Sequence, residues 1–204
     1  FKGNVWPINP HRKSIAGYKC FQDISDLPGV PDTAFIGVNR TKTLEILTKL
    51  NEVGCGGATC FAAGFSEVDK YGKQLQKKLS KASKDMPFLG PNCYGYINYL
   101  DHIHMWPDQH GGKEVEKGVA IIAQSSNIAI NLTMNTRSTP IAYVLTTGNQ
   151  AKIDMSDLGL AMINDKRVTA IGIYIEGFKD IKKFEKMAFS ALRSNIPIVV
   201  LKSG

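Results

Sequence analysis

At 204 residues the chain has room for one large domain or two small ones, and 43% hydrophobic with 21% charged residues suits a globular protein rather than a disordered one. Its apolar runs, about six residues at most, fall far short of the ~20 a spanning helix needs, and no basic-then-apolar leader opens it, so a cytoplasmic protein without membrane contact is expected. The formal charge of +7 comes from lysines strung along helical stretches such as 70–84 instead of interleaved with aromatics, which argues against nucleic acid and suits a small polyanion.

The four cysteines, Cys20, Cys55, Cys60 and Cys93, form no Cys-x-x-Cys and have no zinc-finger spacing to histidine. Reduced, mostly buried thiols are expected, with Cys93 placed by its turn where it can be exposed.

In chain order, residues 5–8 read as a short strand closed by a turn at Asn9-Pro10-His11-Arg12. A connection follows, with a short turn or helix near 24–27. Residues 33–38 are a buried strand. Leu44, Leu47, Leu50 and Val53 then recur at helical spacing, and Thr41 or Thr43 is the expected cap. Residues 56–61 form the next strand, 66–83 an amphipathic lysine-rich helix, and 86–89 another strand. The β, β-α, β-α, β order predicts a parallel, Rossmann-like half.

That last strand runs into Gly90-Pro91-Asn92-Cys93, a tight turn presenting two small reactive side chains where α/β folds bind ligands. Residues 99–117 are polar and contain Pro107 and Gly111-Gly112, which predicts a solvated linker. His102 and His104 lie two apart and would share a side if extended, half of a metal site without an evident third ligand. Alternation then resumes: strands at 119–122, 141–145, 169–175 and 198–201, helices at 127–135, 155–163 and 180–194. This is a second, flavodoxin-like parallel unit. The domains are therefore expected at 1–100 and 118–204, with 101–117 between them, and the pattern looks cut at both ends.

Three places carry candidate chemistry. Gln124-Ser125-Ser126 leaves a buried strand and opens a helix, so it is either a simple serine cap or an anion site. Glu176 follows the strand at 169–175, and is either a loop acid or a carboxylate that fixes an imidazole tautomer. Asn9, Pro10, His11, Arg12 and Lys13 bring cations to a strand end, either as a solvated turn or as a phosphate contact. Val38, Asn39, Arg40 and Gly64, Phe65 fall at the next strand ends. Together the strand ends point to one groove. No Gly-x-Gly-x-x-Gly follows a strand, which argues against a nicotinamide enzyme.

Seven short stretches, Val-Trp-Pro-Ile-Asn-Pro at 5–10, Ala-Ala-Gly-Phe at 62–65, Leu-Gly-Pro-Asn-Cys-Tyr-Gly at 89–95, Ala-Gln-Ser-Ser at 123–126, Thr-Gly-Asn-Gln-Ala at 147–151, Tyr-Ile-Glu-Gly at 174–177 and Val-Val-Leu-Lys-Ser-Gly at 199–204, resemble the NDP-forming (ADP-forming) acyl-CoA synthetases, relatives of the succinyl-CoA synthetase alpha subunit. The resemblance implies a Rossmann-like CoA-binding domain followed by a flavodoxin-like succinyl-CoA-ligase-type domain. Asn9 to Lys13, Val38 to Arg40, Gly64, Phe65, Pro91, Asn92 and Cys93 would line the CoA groove. Ser125 and Ser126 would hold a phosphoryl group, Glu176 would hydrogen-bond a phosphohistidine, and Gly148 and Asn149 would border the acyl site.

The implied reaction joins a small carboxylic acid to CoA at the expense of ATP, releasing ADP and phosphate through an acyl phosphate and a phosphohistidine. ATP, ADP and Mg2+ would sit on an ATP-grasp domain or subunit, and the family forms homo- or hetero-oligomers. The given chain departs from the pattern. It lacks the family's first strand, its Gly-rich loop, the histidine and the ATP-grasp portion, so it is expected to be inactive alone. Ser126 also stands where the family has glycine, which predicts either that the backbone avoids positive φ or that phosphate handling is altered. The alternative reading is a non-catalytic CoA-binding module, such as the synthetase-like region of a protein acetyltransferase fusion.

Overall fold

A computed structural model describes residues 1–203. It opens with irregular chain. The strand expected at 5–8 is absent; Ile8 makes a single parallel bridge to Phe21, with Asn9 N donating to Phe21 O and Phe21 N to Pro7 O. Pro7 and Pro10 lack the N–H groups a ladder needs. The turn is followed by an antiparallel hairpin, β1 (Ser14–Ile15) with β2 (Tyr18–Lys19), and a 3-10 turn at Ile24–Asp26.

The first sheet is parallel, in the order β3 (Ala34–Ile36), β4 (Ala58–Cys60), β5 (Phe88–Leu89). Helix α1 (Arg40–Glu52) follows β3, and α2 (Lys70–Ala82) follows β4. Leu47, Leu50, Leu75 and Leu79 bury with Ile36, Phe65 and Phe88 in one core. The cap of α1 is Asn39, whose side chain accepts from Lys42 N at 3.0 Å, and not Thr41 or Thr43. Thr43 is buried and donates its hydroxyl to Val38 O and Asn39 O. Helix α2 starts later than expected, because the Asp69 carboxylate accepts from Gly72 N at 2.6 Å and sets the first turn there.

The second sheet has six strands in the order β11-β10-β8-β9-β6-β7. Strands β8 (Gly118–Ala123), β9 (Ile141–Thr146), β10 (Val168–Ile175) and β11 (Ile198–Lys202) are parallel, as expected. Strands β6 (Tyr96–Asn98) and β7 (Ile103–Met105) are antiparallel additions at the β9 edge. Helices α4 (Met155–Ile163) and α5 (Ile181–Arg193) bury Met155, Ile163, Met187 and Ala191 in one core, and α3 (Ser126–Thr133) buries Ala129 in another.

The hairpin β6–β7 corrects the linker expectation for 101–117. Tyr99 is buried, and Arg167 bonds Asp101, Asp165 and the Tyr143 hydroxyl, so this stretch is bound into the second unit. Three-residue strands carry too little alternation to show in the sequence. Nor do His102 and His104 sit together on one extended side: His102 has φ 56 in the turn and pairs with Glu114 at 2.9 Å, while the His104 ring packs on His110.

The two units meet along a backbone seam. Residues 148–153, after β9, run beside β5: Asn149 N donates to Pro91 O (2.9 Å), Ala151 N to Gly90 O (2.9 Å) and Ile153 N to Phe88 O (3.3 Å). Gly148, at φ 50, is pressed so close that an added Cβ would stand 2.4 Å from the carbonyl oxygens of both Pro91 and Asn92. We expect Gly148→Ala to destabilise the protein by about 1–3 kcal/mol, read as a lower urea midpoint, because both the conformation and the contact oppose a side chain.

Candidate functional site

A cleft of about 380 Å³ opens where the β5 turn faces the ends of β8 and β10. One wall is Phe61, Ala63, Asn92 and Tyr94 from the first unit and its turn; the other is Gln124, the start of α3 and Glu176.

Ser125 occupies the N-cap position of α3 with extended backbone (φ −98, ψ 123), yet its hydroxyl makes no cap bond. The simple cap is therefore not realised. The first N–H groups of a helix lack intrahelical acceptors and carry the positive end of its dipole, so this end of the cleft is built for an anion. Ser126 is the first helical residue and is not among the positive-φ positions. Its Oγ accepts from Tyr94 N at 3.0 Å, so its side chain ties α3 to the β5 turn. The backbone thus avoids the conformation that would have required glycine there.

Glu176 follows β10 and is exposed at the cleft, and among the described residues its carboxylate has no hydrogen bond or ion pair. Its backbone is held: Gln124 Oε1 accepts from Glu176 N (2.8 Å) and Gly177 N (2.9 Å). An unpaired carboxylate opposite a helix N-terminus suits a cationic or N–H-bearing group placed between them.

The expected coenzyme-binding residues are only partly gathered. Asn92 is exposed with φ 59, and Val38, Asn39 and Arg40 lie just past β3, so the strand tips do form a face. Arg40 is already engaged, donating to Gly64 O at 2.5 Å with its guanidinium over the Tyr71 ring. Phe65 is fully buried in the first core. The N–H groups of Gly64 and Phe65 are both taken by the Glu67 carboxylate, at 2.6 and 3.1 Å. Asn9 to Lys13 form an exposed turn: Asn9 Oδ1 accepts from His11 N, and Lys13 O accepts from Cys20 N. The recorded bonds of that turn reach the chain near Phe21, not the strand tips.

Cys93 corrects the expectation of an exposed thiol. It is 1% exposed, donates weakly to Cys60 O at 3.9 Å, and burial pushes its pKa up to about 12. A protonated, enclosed thiol is a poor nucleophile, although Cys93 lines the cleft. Pro91 is also buried. Gly148 and Asn149 belong to the seam: the Asn149 amide donates to Glu67 Oε2 (2.5 Å) and Gln76 Oε1 (3.0 Å). For Glu67, burial raises the carboxyl pKa, but the Asn149 amide and the backbone N–H groups outweigh it and hold it below the usual carboxylate range. Sequence reasoning missed Glu67, Tyr94 and the part played by the Gln124 side chain.

Comparison with known proteins fits this architecture. The CoA binding domain family matches residues 2–99, and the succinyl-CoA ligase like flavodoxin domain family matches 116–204. The chain is 34% identical over 209 residues to the ADP-forming acetate–CoA ligase of Methanocaldococcus jannaschii, covering 100% of itself and 29% of that protein. It is 30% identical over 207 residues to the alpha subunit of ADP-forming acetate–CoA ligase II of Pyrococcus furiosus, covering 99% of itself and 44% of the subunit. Among solved structures, a Pyrococcus horikoshii OT3 protein superposes with a TM-score of 0.93 at 29% identity, over 100% of this chain and 47% of that one. The apo dinucleotide-forming acetyl-coenzyme A synthetase 1 of Ca. Korarchaeum cryptofilum gives 0.88 at 31%, over 100% and 45%. The chain therefore spans less than half the length of each of these relatives. The chain thus joins a CoA binding domain to a succinyl-CoA ligase like flavodoxin domain, and over its whole length it is similar to part of the ADP-forming acetate–CoA ligases.

Proposed function

We propose that the whole protein joins a small carboxylic acid to CoA while ATP is converted to ADP and phosphate, and that this chain supplies the CoA groove and the phosphoryl-receiving cleft. The carrying observation is that the open N-terminus of α3, beside Ser125, and the unpaired Glu176 carboxylate face one cleft next to the β5 turn. ATP and Mg2+ belong, in this reading, to an ATP-grasp domain or subunit outside the chain. The two-subunit form has a parallel in the Pyrococcus furiosus relative, which is named as a subunit alpha. A synthetase from Ca. Korarchaeum cryptofilum that superposes at a TM-score of 0.86 was solved with phosphate and ADP.

The chemistry divides between the start of α3 and Glu176. The N–H groups at the start of α3 and the Ser125 hydroxyl receive the phosphoryl oxygens, placing fixed dipoles where negative charge gathers. Glu176 accepts a hydrogen bond from one nitrogen of a visiting histidine, which holds the other nitrogen ready for phosphorus. The exposed residues at the ends of β3, β4 and β5 leave room for the coenzyme's phosphates, with Arg12 and Lys13 as free cations toward its outer end. Ser126, which stands where the family has glycine, sits in ordinary helical backbone, which supports this reading.

Full-length protein incubated with γ-labelled ATP should acquire acid-labile, base-stable label; a protein that takes up none does not use this route. Glu176→Gln should slow that labelling by about 10²-fold in single turnover, while the Kd for CoA stays within about twofold. Loss of CoA affinity instead would place Glu176 in the coenzyme groove. Arg12→Ala should weaken CoA by about 3- to 10-fold and dephospho-CoA by less, as measured calorimetrically; an equal loss removes the 3′-phosphate contact. At pH 8 the folded protein should react with iodoacetamide at Cys93 at least about 100-fold more slowly than in urea, because the thiolate is suppressed by burial.

A further inference from the structure

We infer that Gln124 is a positioning residue for Glu176, setting the distance between the carboxylate and the anion-binding end of α3. The inference rests on the phosphoryl-transfer reading above and adds a residue to it. Gln124 ends the β8 side of the sheet: its own N donates to Tyr174 O at 3.1 Å, continuing the β8–β10 ladder by one step. From that fixed base its side-chain carbonyl accepts from two consecutive backbone N–H groups, those of Glu176 and Gly177. The chain after β10 is thereby curled around a single oxygen.

The chain up to Ile175 is held by β11, with Ser203 N donating to Ile175 O at 2.9 Å; the bonds made by the next two N–H groups both go to Gln124. Among the described residues the Glu176 side chain has no partner of its own, and a Cβ added at Gly177 would meet nothing within 4 Å, so packing does not restrain the turn there. The direction of the carboxylate follows from its main chain, which past Ile175 is held by Gln124. The next residue along from Gln124 is Ser125, at the cap of α3. One side chain therefore links the strand that leads into α3 to the turn that carries Glu176, and a shift in it moves the acceptor for the histidine relative to the phosphoryl site. Displacement of about 1 Å in such a constellation costs on the order of 100-fold in rate.

The test is a double-mutant cycle in the full-length protein, read as the single-turnover rate of acid-labile labelling from γ-labelled ATP. Gln124→Met keeps the bulk and removes the acceptor; Gln124→Ser replaces it if the first variant does not fold. We expect Gln124→Met to slow labelling by about 10- to 100-fold, with the Kd for CoA within about twofold of wild type. Combined with Glu176→Gln, it should add no more than about twofold to the loss from Glu176→Gln alone, because both changes disable the same group. Losses that multiply would overturn the inference, as would an unchanged rate in Gln124→Met or an equal fall in CoA affinity. A wild-type protein that takes up no label would overturn the phosphoryl-transfer reading, and the inference with it. Multiplying losses in a protein that does label leave that reading standing and remove only the role of Gln124.

Discussion

The seam between residues 148–153 and β5 is the constraint on which the rest of the molecule depends. A two-residue strand at the edge of a three-stranded sheet would otherwise present unpaired backbone groups. Three backbone hydrogen bonds from the other unit satisfy Phe88 O, Gly90 O and Pro91 O. Each contributes only about 1 kcal/mol net, but leaving the same carbonyls buried and unpaired would cost more. Side chains reinforce the line: Ser80 donates to Ala151 O, and Asn149 reaches Glu67 and Gln76 on the first unit. The units are therefore joined by main chain, with a geometry that does not depend on side-chain fit alone.

That joint explains why the cleft has the walls it does. Just past the seam, Gly95 exchanges hydrogen bonds with Thr146 through N, O and Oγ1, and the chain turns from the first sheet onto the edge of the second. Between these two anchors lies the turn of Asn92, Cys93 and Tyr94, fixed against α3 by the bond from Tyr94 N to Ser126 Oγ. Asn92 is left exposed, and the thiol beside it is driven inside. Packing at the junction thus decides which member of the Asn-Cys pair is exposed.

Hydrogen bonding also separates two exposed carboxylates, Glu67 and Glu176. Glu67 is saturated by backbone N–H groups and the Asn149 amide, so it stays ionised while serving as a brace. It fills the N–H donors of Gly64 and Phe65. Glu176 is the reverse case, held by its backbone with its carboxylate unspent. A saturated anion gives structure, whereas an unpaired one at a cleft is available for a reacting partner.

The sequence by itself determined the alternating helices and strands, the two α/β units and the positions of Ser125, Ser126 and Glu176 at strand ends. Those features follow from local periodicity and from punctuation by Gly, Pro and polar residues, which a linear reading detects. Tertiary structure alone decided that Tyr96–Asn98 and Ile103–Met105 join the second sheet, that 5–8 does not become a strand, and that Asn39 and not a threonine caps α1. It likewise decided that Cys93 is sealed, that Gly148 and Asn149 lie in the seam, and that Gln124 holds the Glu176 backbone. Each of these depends on which backbone donors find acceptors from distant parts of the chain. That pairing is set by how the two sheets dock, and no local pattern encodes it.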